Sequence, residues 1–264
     1  MLTTWLDRAP HPELAGVVNG YAGYRVEHDH AGVHRGLPIP YLTMLISLAE
    51  PICSIAADGT LNDGVNAVVG GLHDQAVLVE RPVLEYGIAI DLSATSAERV
   101  LGVSGYELHG RAVALPDLLG RPGARMVERV RDATTWSERF GAVDAELRRL
   151  LRSPRRHDVL VDAASRALIE GRQVSAVAED LGWSRQHLTR RTRAATGATP
   201  RQLSRLGRFQ RSARLLRAEG PGGSLAVVAH QAGYADQSHL IREWRSFAGC
   251  TPGAWRVEEG STSS

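Results

Sequence analysis

Over the first hundred residues, apolar positions come in short runs or alternate with polar ones. Tyr41–Leu48, Val65–Val69, Ala76–Glu80 and Leu84–Asp91 read as strands, and the cluster Gly36, Leu37, Pro38 punctuates them. This texture predicts a small β-barrel or sandwich. From Ser93 the period lengthens. Ser93–Leu101 reads as a short helix capped by Ser93, and Pro122–Ala133 as a helix with proline in its first turn. Trp136, Phe140, Val143, Leu147 and Leu150 then recur at steps of 4, 3, 4 and 3, one apolar stripe along a helix spanning Trp136–Leu151. Such a stripe packs on its own domain or against a second copy of the chain; two heptads are too few for a coiled coil.

The C-terminal part carries an internal repeat. Ala178, Gly182, Trp183, Leu188, Arg190, Gly197, Thr199 and Pro200 recur in order as Ala229, Gly233, Tyr234, Leu240, Arg242, Gly249, Thr251 and Pro252. In each copy a short apolar helix (Val174–Leu181, Leu225–Ala232) ends at a glycine, where a left-handed residue is wanted. An aromatic anchors the turn. A cap, Ser184 or Asp236, then opens a second helix. The exposed face of that helix carries Arg185, Gln186, Thr189, Arg190 and Arg193 in the first copy, and Gln237, Ser238, His239 and Arg242, with Arg245 beyond, in the second. This is a helix-turn-helix pattern, written twice. Its second helix suits the major groove of DNA, where Arg reads guanine and Gln reads adenine. Between the copies, Pro200–Ala218 reads as one helix with Leu203, Leu206, Phe209, Ala213 and Leu216 buried. At about 1.5 Å per residue it is long enough to hold two recognition helices roughly one DNA turn apart.

The stretches V-A-E-D-L-G-W-S-R-Q-H-L-T-R, R-F-Q-R-S-A-R-L-L and A-H-Q-A-G-Y-A-D-Q-S-H-L-I-R-E-W-R-S-F-A-G-C-T-P resemble the DNA-binding domain of the AraC/XylS family of transcription regulators, over about Arg156–Glu258. The resemblance implies a seven-helix domain with two helix-turn-helix units, and it favours Gln186, Thr189, Arg190, Ser238, His239 and Arg242 as base-facing. Thr192 stands where the family often has Phe, which implies looser packing of the first recognition helix; Leu240 and Trp244 also replace Phe but keep its apolar character. The family's N-terminal half commonly senses a ligand or dimerises, often on a cupin-like barrel. The expected fold is therefore an α+β N-terminal domain, a small cupin-like β-barrel plus helices, followed by an all-α domain with two helix-turn-helix motifs. Expected boundaries are 1–152 for sensing or dimerisation, 153–157 for a linker, 158–258 for DNA binding and 259–264 for a disordered tail.

Charge sharpens this division. All 264 residues together carry a net charge of +2, but residues 1–154 hold 14 Arg against 19 acids and residues 155–264 hold 17 Arg against 10. Ten Arg and no acid fall between Leu181 and Ala218, a footprint suited to a polyanion. No apolar run is long enough for a membrane helix, and no charged-then-apolar leader opens the chain, so the expected compartment is the cytoplasm.

His28, His30 and His34, with His73 further on, are similar to the histidine cluster of metal-binding cupins; alternation along a strand would put His28 and His30 on one face. The alternative to a regulator is thus a metal-binding cupin-like enzyme domain fused to a DNA-anchoring basic domain. Catalytic signals are otherwise missing: the chain has no G-x-S-x-G, P-loop or H-E-x-x-H, and Cys53 and Cys250 read as structural. The expectation is a DNA-binding regulator, not an enzyme, with no cofactor. Its expected partners are double-stranded DNA and a small-molecule effector, with RNA polymerase and a second copy of the chain as further candidates.

Overall fold

A computed structural model describes residues 3–55, 61–154, 156–219 and 223–262. In the N-terminal half lie β1 (Thr3–Arg8), a 3-10 turn (Pro12–Leu14), β2 (Val18–Glu27), β3 (Gly32–Gly36), β4 (Leu42–Ser47), β5 (Ile52–Ile55), β6 (Leu61–Val65), β7 (Ala67–Gly70), β8 (Val77–Arg81) and β9 (Leu84–Leu92). Short helices α1 (Ala97–Val100) and α2 (Gly105–Leu108) follow, then β10 (Ala112–Ala114), α3 (Leu115–Leu119), α4 (Arg121–Asp132) and α5 (Trp136–Leu150). The C-terminal half is helical: α6 (Arg156–Ile169), α7 (Val174–Asp180), α8 (Arg185–Thr196), α9 (Pro200–Glu219), α10 (Leu225–Ala232), α11 (Gln237–Ala248) and α12 (Pro252–Thr262).

The strands form two antiparallel sheets, in the orders β1-β2-β9-β4-β7-β10 and β3-β8-β5-β6. Among the described residues no strand pair joins one sheet to the other, so the expected barrel is an open two-sheet arrangement with free edges at β1, β10, β3 and β6. Alternation along the central strands explains what each face does. Leu42, Met44 and Ile46 of β4, with Ile88, Ile90 and Leu92 of β9, are fully buried on the face that α5 covers. Thr43 and Leu45 point to the opposite face, toward the second sheet. Phe140, Val143 and Leu147 lie buried in the same core as β4 and β9, with Trp136 and Leu150 against it, so the apolar stripe of α5 packs on its own domain. A Cβ on Gly23 of β2 would lie 2.6 Å from the Trp136 ring, which makes that glycine the condition for α5 to approach the sheet.

Several elements differ from the sequence reading. The helix expected over 93–101 is only Ala97–Val100: the Ser96 hydroxyl donates to the Ser93 carbonyl at 2.8 Å, and this turn occupies the positions before the helix. The run Val65–Val69 is divided at Asn66 between β6 and β7. β1, β2, β3, β5 and β10 were not anticipated. Helix α6 already begins at Arg156, with Arg155 of the expected linker outside the described residues. Helix α12 runs through the first four positions of the expected tail, and Ser263 and Ser264 lie outside the described residues.

The helical half holds two small cores. One gathers Val177, Ala178, Leu188 and Leu203 around Leu168, and it includes Leu72 and Ala94 from the N-terminal half. The other is built on Phe209, Trp244, Phe247 and Trp255, with Leu37 packed against it. Trp244 donates from its indole nitrogen to Ser212 Oγ at 2.9 Å. Thr192 is fully buried, and its hydroxyl donates to the Leu188 carbonyl at 2.9 Å.

Candidate nucleic-acid interface

The two repeats fold alike, down to the capping atoms. Gly182 (φ +63°) and Gly233 (φ +88°) end α7 and α10 in the left-handed region, where a side chain is strained. The next residue closes the turn: the Trp183 amide donates to the Ala178 carbonyl and the Tyr234 amide to the Ala229 carbonyl, both at 2.8 Å. Ser184 Oγ accepts from the His187 amide at 3.1 Å, and Asp236 Oδ1 from the His239 amide at 2.7 Å, so each second helix starts on a side-chain cap. Trp183 meets the His187 ring edge-on at 4.9 Å between centroids, and Tyr234 meets His239 at 5.2 Å. His187 was not singled out in the sequence; its offset of 52 from His239 was the signal.

Each expected contact residue has a definite place. Ser184, Arg185, Gln186, Arg190 and Arg193 are exposed on α8 and its cap, and Gln237, Ser238, Arg242 and Arg245 are exposed on α11. Thr189 and His239 are half-buried. The Thr189 hydroxyl donates to the Arg185 carbonyl at 2.9 Å, and the His239 ring rests against Tyr234. Arg190 Nη2 lies 3.3 Å from His187 Nδ1.

Seven of the ten arginines in this stretch fall into two groups. Arg205 and Arg208 of α9 grip the buried Glu243 of α11 at 2.7 and 3.0 Å. Arg211 donates to the Ile169 carbonyl at 2.8 Å, and Arg217 pairs with Glu259 at 3.4 Å. These side chains hold helices together. The basic surface on α8 comes instead from Arg185, Arg190 and Arg193.

The N-terminal half stands beside this surface. Helix α2 packs on the end of α8 so closely that a Cβ on Gly105 would lie 2.1 Å from the Ala195 carbonyl oxygen. Tyr106 has the Arg193 guanidinium 6.0 Å over its ring, and Ser104 and Tyr106 form one wall of a groove of about 870 Å³ whose other wall is the exposed face of α8. Neither residue was expected at the site, although Ser104 and Glu107 form a capping box whose S-x-x-E spacing was readable.

Between the sheets lies a cavity of about 500 Å³. One end of its wall is made by 70–73 and 110–112, two segments that bond to each other: the Gly71 amide donates to the Arg111 carbonyl at 2.9 Å and the Gly110 amide to the Leu72 carbonyl at 2.8 Å. These segments continue into contacts with the helical half. Asp74 Oδ2 accepts from Gln202 Nε2 at 2.9 Å and lies 3.7 Å from His109 Nε2, while the Ala76 amide donates to the Phe247 carbonyl at 2.7 Å. Arg35 of β3 donates to the Ala248 carbonyl at the end of α11, also at 2.9 Å.

The four histidines weighed as metal ligands are not brought together. His28 and His30 fall in the bend after β2 and not on a strand; His28 pairs with Glu85 at 2.6 Å and His30 is exposed. His34 sits in β3, where burial lowers its pKa, and His73 lines the cavity. Among the described residues no three His, Cys, Asp or Glu side chains lie close enough to hold a metal ion. Among them, too, no helix is long and apolar enough to cross a membrane.

Residues 177–258 match a family model described as a helix-turn-helix domain. No curated protein matches the chain. Among solved structures the chain is similar to ToxT from Vibrio cholerae. A structure of ToxT bound to (E)-4-(8-methylnaphthalen-1-yl)but-3-enoic acid has a TM-score of 0.52 at 12% identity, covering 91% of this chain and 98% of that one. A second ToxT structure gives 0.51 at 12% identity over the same shares. The likeness shows a common two-part fold. The DNA-binding domain of AdpA in complex with a target DNA aligns at 28% identity and a TM-score of 0.33, over 39% of this chain and 91% of that one.

Proposed function

We infer that this chain, whose residues 177–258 match a helix-turn-helix family model, is a sequence-specific, cytoplasmic DNA-binding transcription regulator of the AraC type under the control of a small molecule held between its N-terminal sheets. The observation that carries the reading is the duplicated geometry: two helices, each started by a side-chain cap after a left-handed glycine, each with basic and amide side chains on its exposed face.

Helices α8 and α11 enter successive major grooves, with Gln186, Thr189 and Arg190 reading one block of bases and Ser238, His239 and Arg242 the other. Ser184, Arg185, Arg193, Gln237 and Arg245 flank them toward the phosphates. The 20 residues of α9 span about 30 Å at 1.5 Å per residue, which suits reading heads about one DNA turn apart. Because the units are direct repeats, the site need not be palindromic. The cavity reading rests on its wall: the segments that close it also touch Gln202 beside the first unit and Phe247 within the second.

Selection of bound fragments from random duplex DNA at fixed salt tests this reading, since phosphate contacts make affinity salt-dependent. The expected result is a shared site with two base blocks about ten base pairs apart. Arg190→Ala and Arg242→Ala should each cost about 1–3 kcal/mol and relax specificity in different blocks. Equal weakening on every sequence would remove base readout from these residues.

A further inference from the structure

We infer that the cavity between the two sheets takes an uncharged, mainly apolar molecule whose one polar end meets the imidazole of His73. This rests on the reading of the cavity as the control site and adds the class of its ligand.

The walls are apolar side chains from both sheets, Leu45 and Val68 on one side and Ile52 and Val79 on the other. A space of about 500 Å³ falls within the range of small-molecule pockets, roughly 300–1,000 Å³. Charge is what narrows the class. Among the described residues Arg111 is the one charged residue on the lining, and its side chain is exposed, with Nη1 donating to the Glu107 carbonyl at 3.5 Å. Directly across the β9–β4 ladder from the lining residue Thr43 is Asp91, on the same face of the sheet. An acid bound near Thr43 would therefore lie beside the carboxyl of the neighbouring strand residue Asp91, with the exposed Arg111 as the one cation on the described lining. Burying an unpaired anion costs far more than its apolar tail returns.

His73 supplies the polar contact without the charge. Burial, with His109 nearby, lowers its pKa, so the imidazole is neutral and presents one N–H donor and one nitrogen acceptor. Such a ring satisfies an alcohol, an amide or a ketone, and it brings no full positive charge to offset the desolvation of an anion.

Octan-1-ol and octanoate, which share a chain and differ in charge, make the test. Titration calorimetry of the full chain with each at pH 7.5 should show the alcohol binding at least about tenfold more tightly. His73→Leu should lower affinity for the alcohol several-fold, and Val79→Trp, which fills the cavity, should abolish binding while thermal melts report whether the variant is folded. Tighter binding of octanoate, binding of neither probe, or binding untouched by Val79→Trp in a folded protein would overturn the proposal. Affinity for the selected DNA site, measured with and without octan-1-ol, is a separate readout: an unchanged value with the alcohol bound removes the control reading and leaves the ligand class standing.

Discussion

Gln202 Nε2 donates to the carboxylate of Asp74 at 2.9 Å, across 128 positions of chain. Gln202 also closes the start of α9, where its side chain accepts from the Thr199 amide at 2.9 Å, so one amide joins the corner after α8 to the wall of the cavity. The His109 ring, 3.7 Å away, is the largest influence holding the Asp74 carboxyl below its ordinary value of 3.8, with burial opposing it. A carboxyl whose folded-state pKa is depressed adds stability above its unfolded value and loses it as pH falls through the folded one. Asp74→Ala should therefore lower Tm at pH 7, by a difference that shrinks once the pH is below 3.8. With the side chain 45% exposed, the effect stays under about 1 kcal/mol. Paired thermal melts decide it, and a pH-independent difference would place the effect elsewhere.

Tyr106, 58% exposed, borders the groove along the exposed face of α8, the surface proposed to meet DNA, and its ring lies 6.0 Å from the Arg193 guanidinium. Tyr106→Ala should tighten binding to the selected site, about two- to fivefold if the released contact is worth about 0.5–1 kcal/mol. Gel-shift titration at fixed salt reads this directly. Weaker binding would instead make Tyr106 a contact to the DNA.

Glu243 is 6% exposed. Burial pushes its carboxyl up, but the bonds from Arg205 and Arg208 prevail and hold it below the ordinary range. Glu243→Gln leaves two arginines facing a neutral amide between α9 and α11, and should cost about 3 kcal/mol. Denaturant melts would register this as a lower midpoint at constant slope.

Asp91 shows the opposite sign. Burial raises its carboxyl to about 6, so between about pH 4 and 6 the folded chain holds a proton that the unfolded chain has released, and stability falls across that window before levelling off. Asp91→Asn should stabilise the protein by about 3 kcal/mol above pH 6 and by nothing near pH 4. Chemical denaturation at both values tests the sign.

The helical half was largely legible because its signals are local. Ser184 and Asp236 cap within three residues, Gly182 and Gly233 turn where they stand, and the buried stripe of α9 repeats within one helix. Strand β2 was not, since Val18–Glu27 contains two glycines, an asparagine and an arginine, and its place is set by pairing with β9 some 60 positions away. Alternation suggested strands correctly for β4 and β9, yet could not say whether the sheet would close. The histidines meet the same limit: His28 and His30 alternate in sequence as strand residues do, but the chain bends there. Of the interface, the faces of α8 and α11 were readable from the repeat. Asp74, Ser104 and Tyr106 were not, because they reach α8 and α9 only through tertiary packing of segments 70–76 and 104–112.

Leu37 and Leu72 each belong to two neighbourhoods. Leu37 lines the cavity and packs against the core around Trp244; Leu72, between the lining residues Gly71 and His73, is fully buried in the core around Leu188. Each helical unit thus takes one keystone from a common plinth, and a shift of that plinth moves both keystones together. Under the regulation proposed above, one occupancy event would thereby reach both base-reading helices at once, as a switch with two contacts on a single lever.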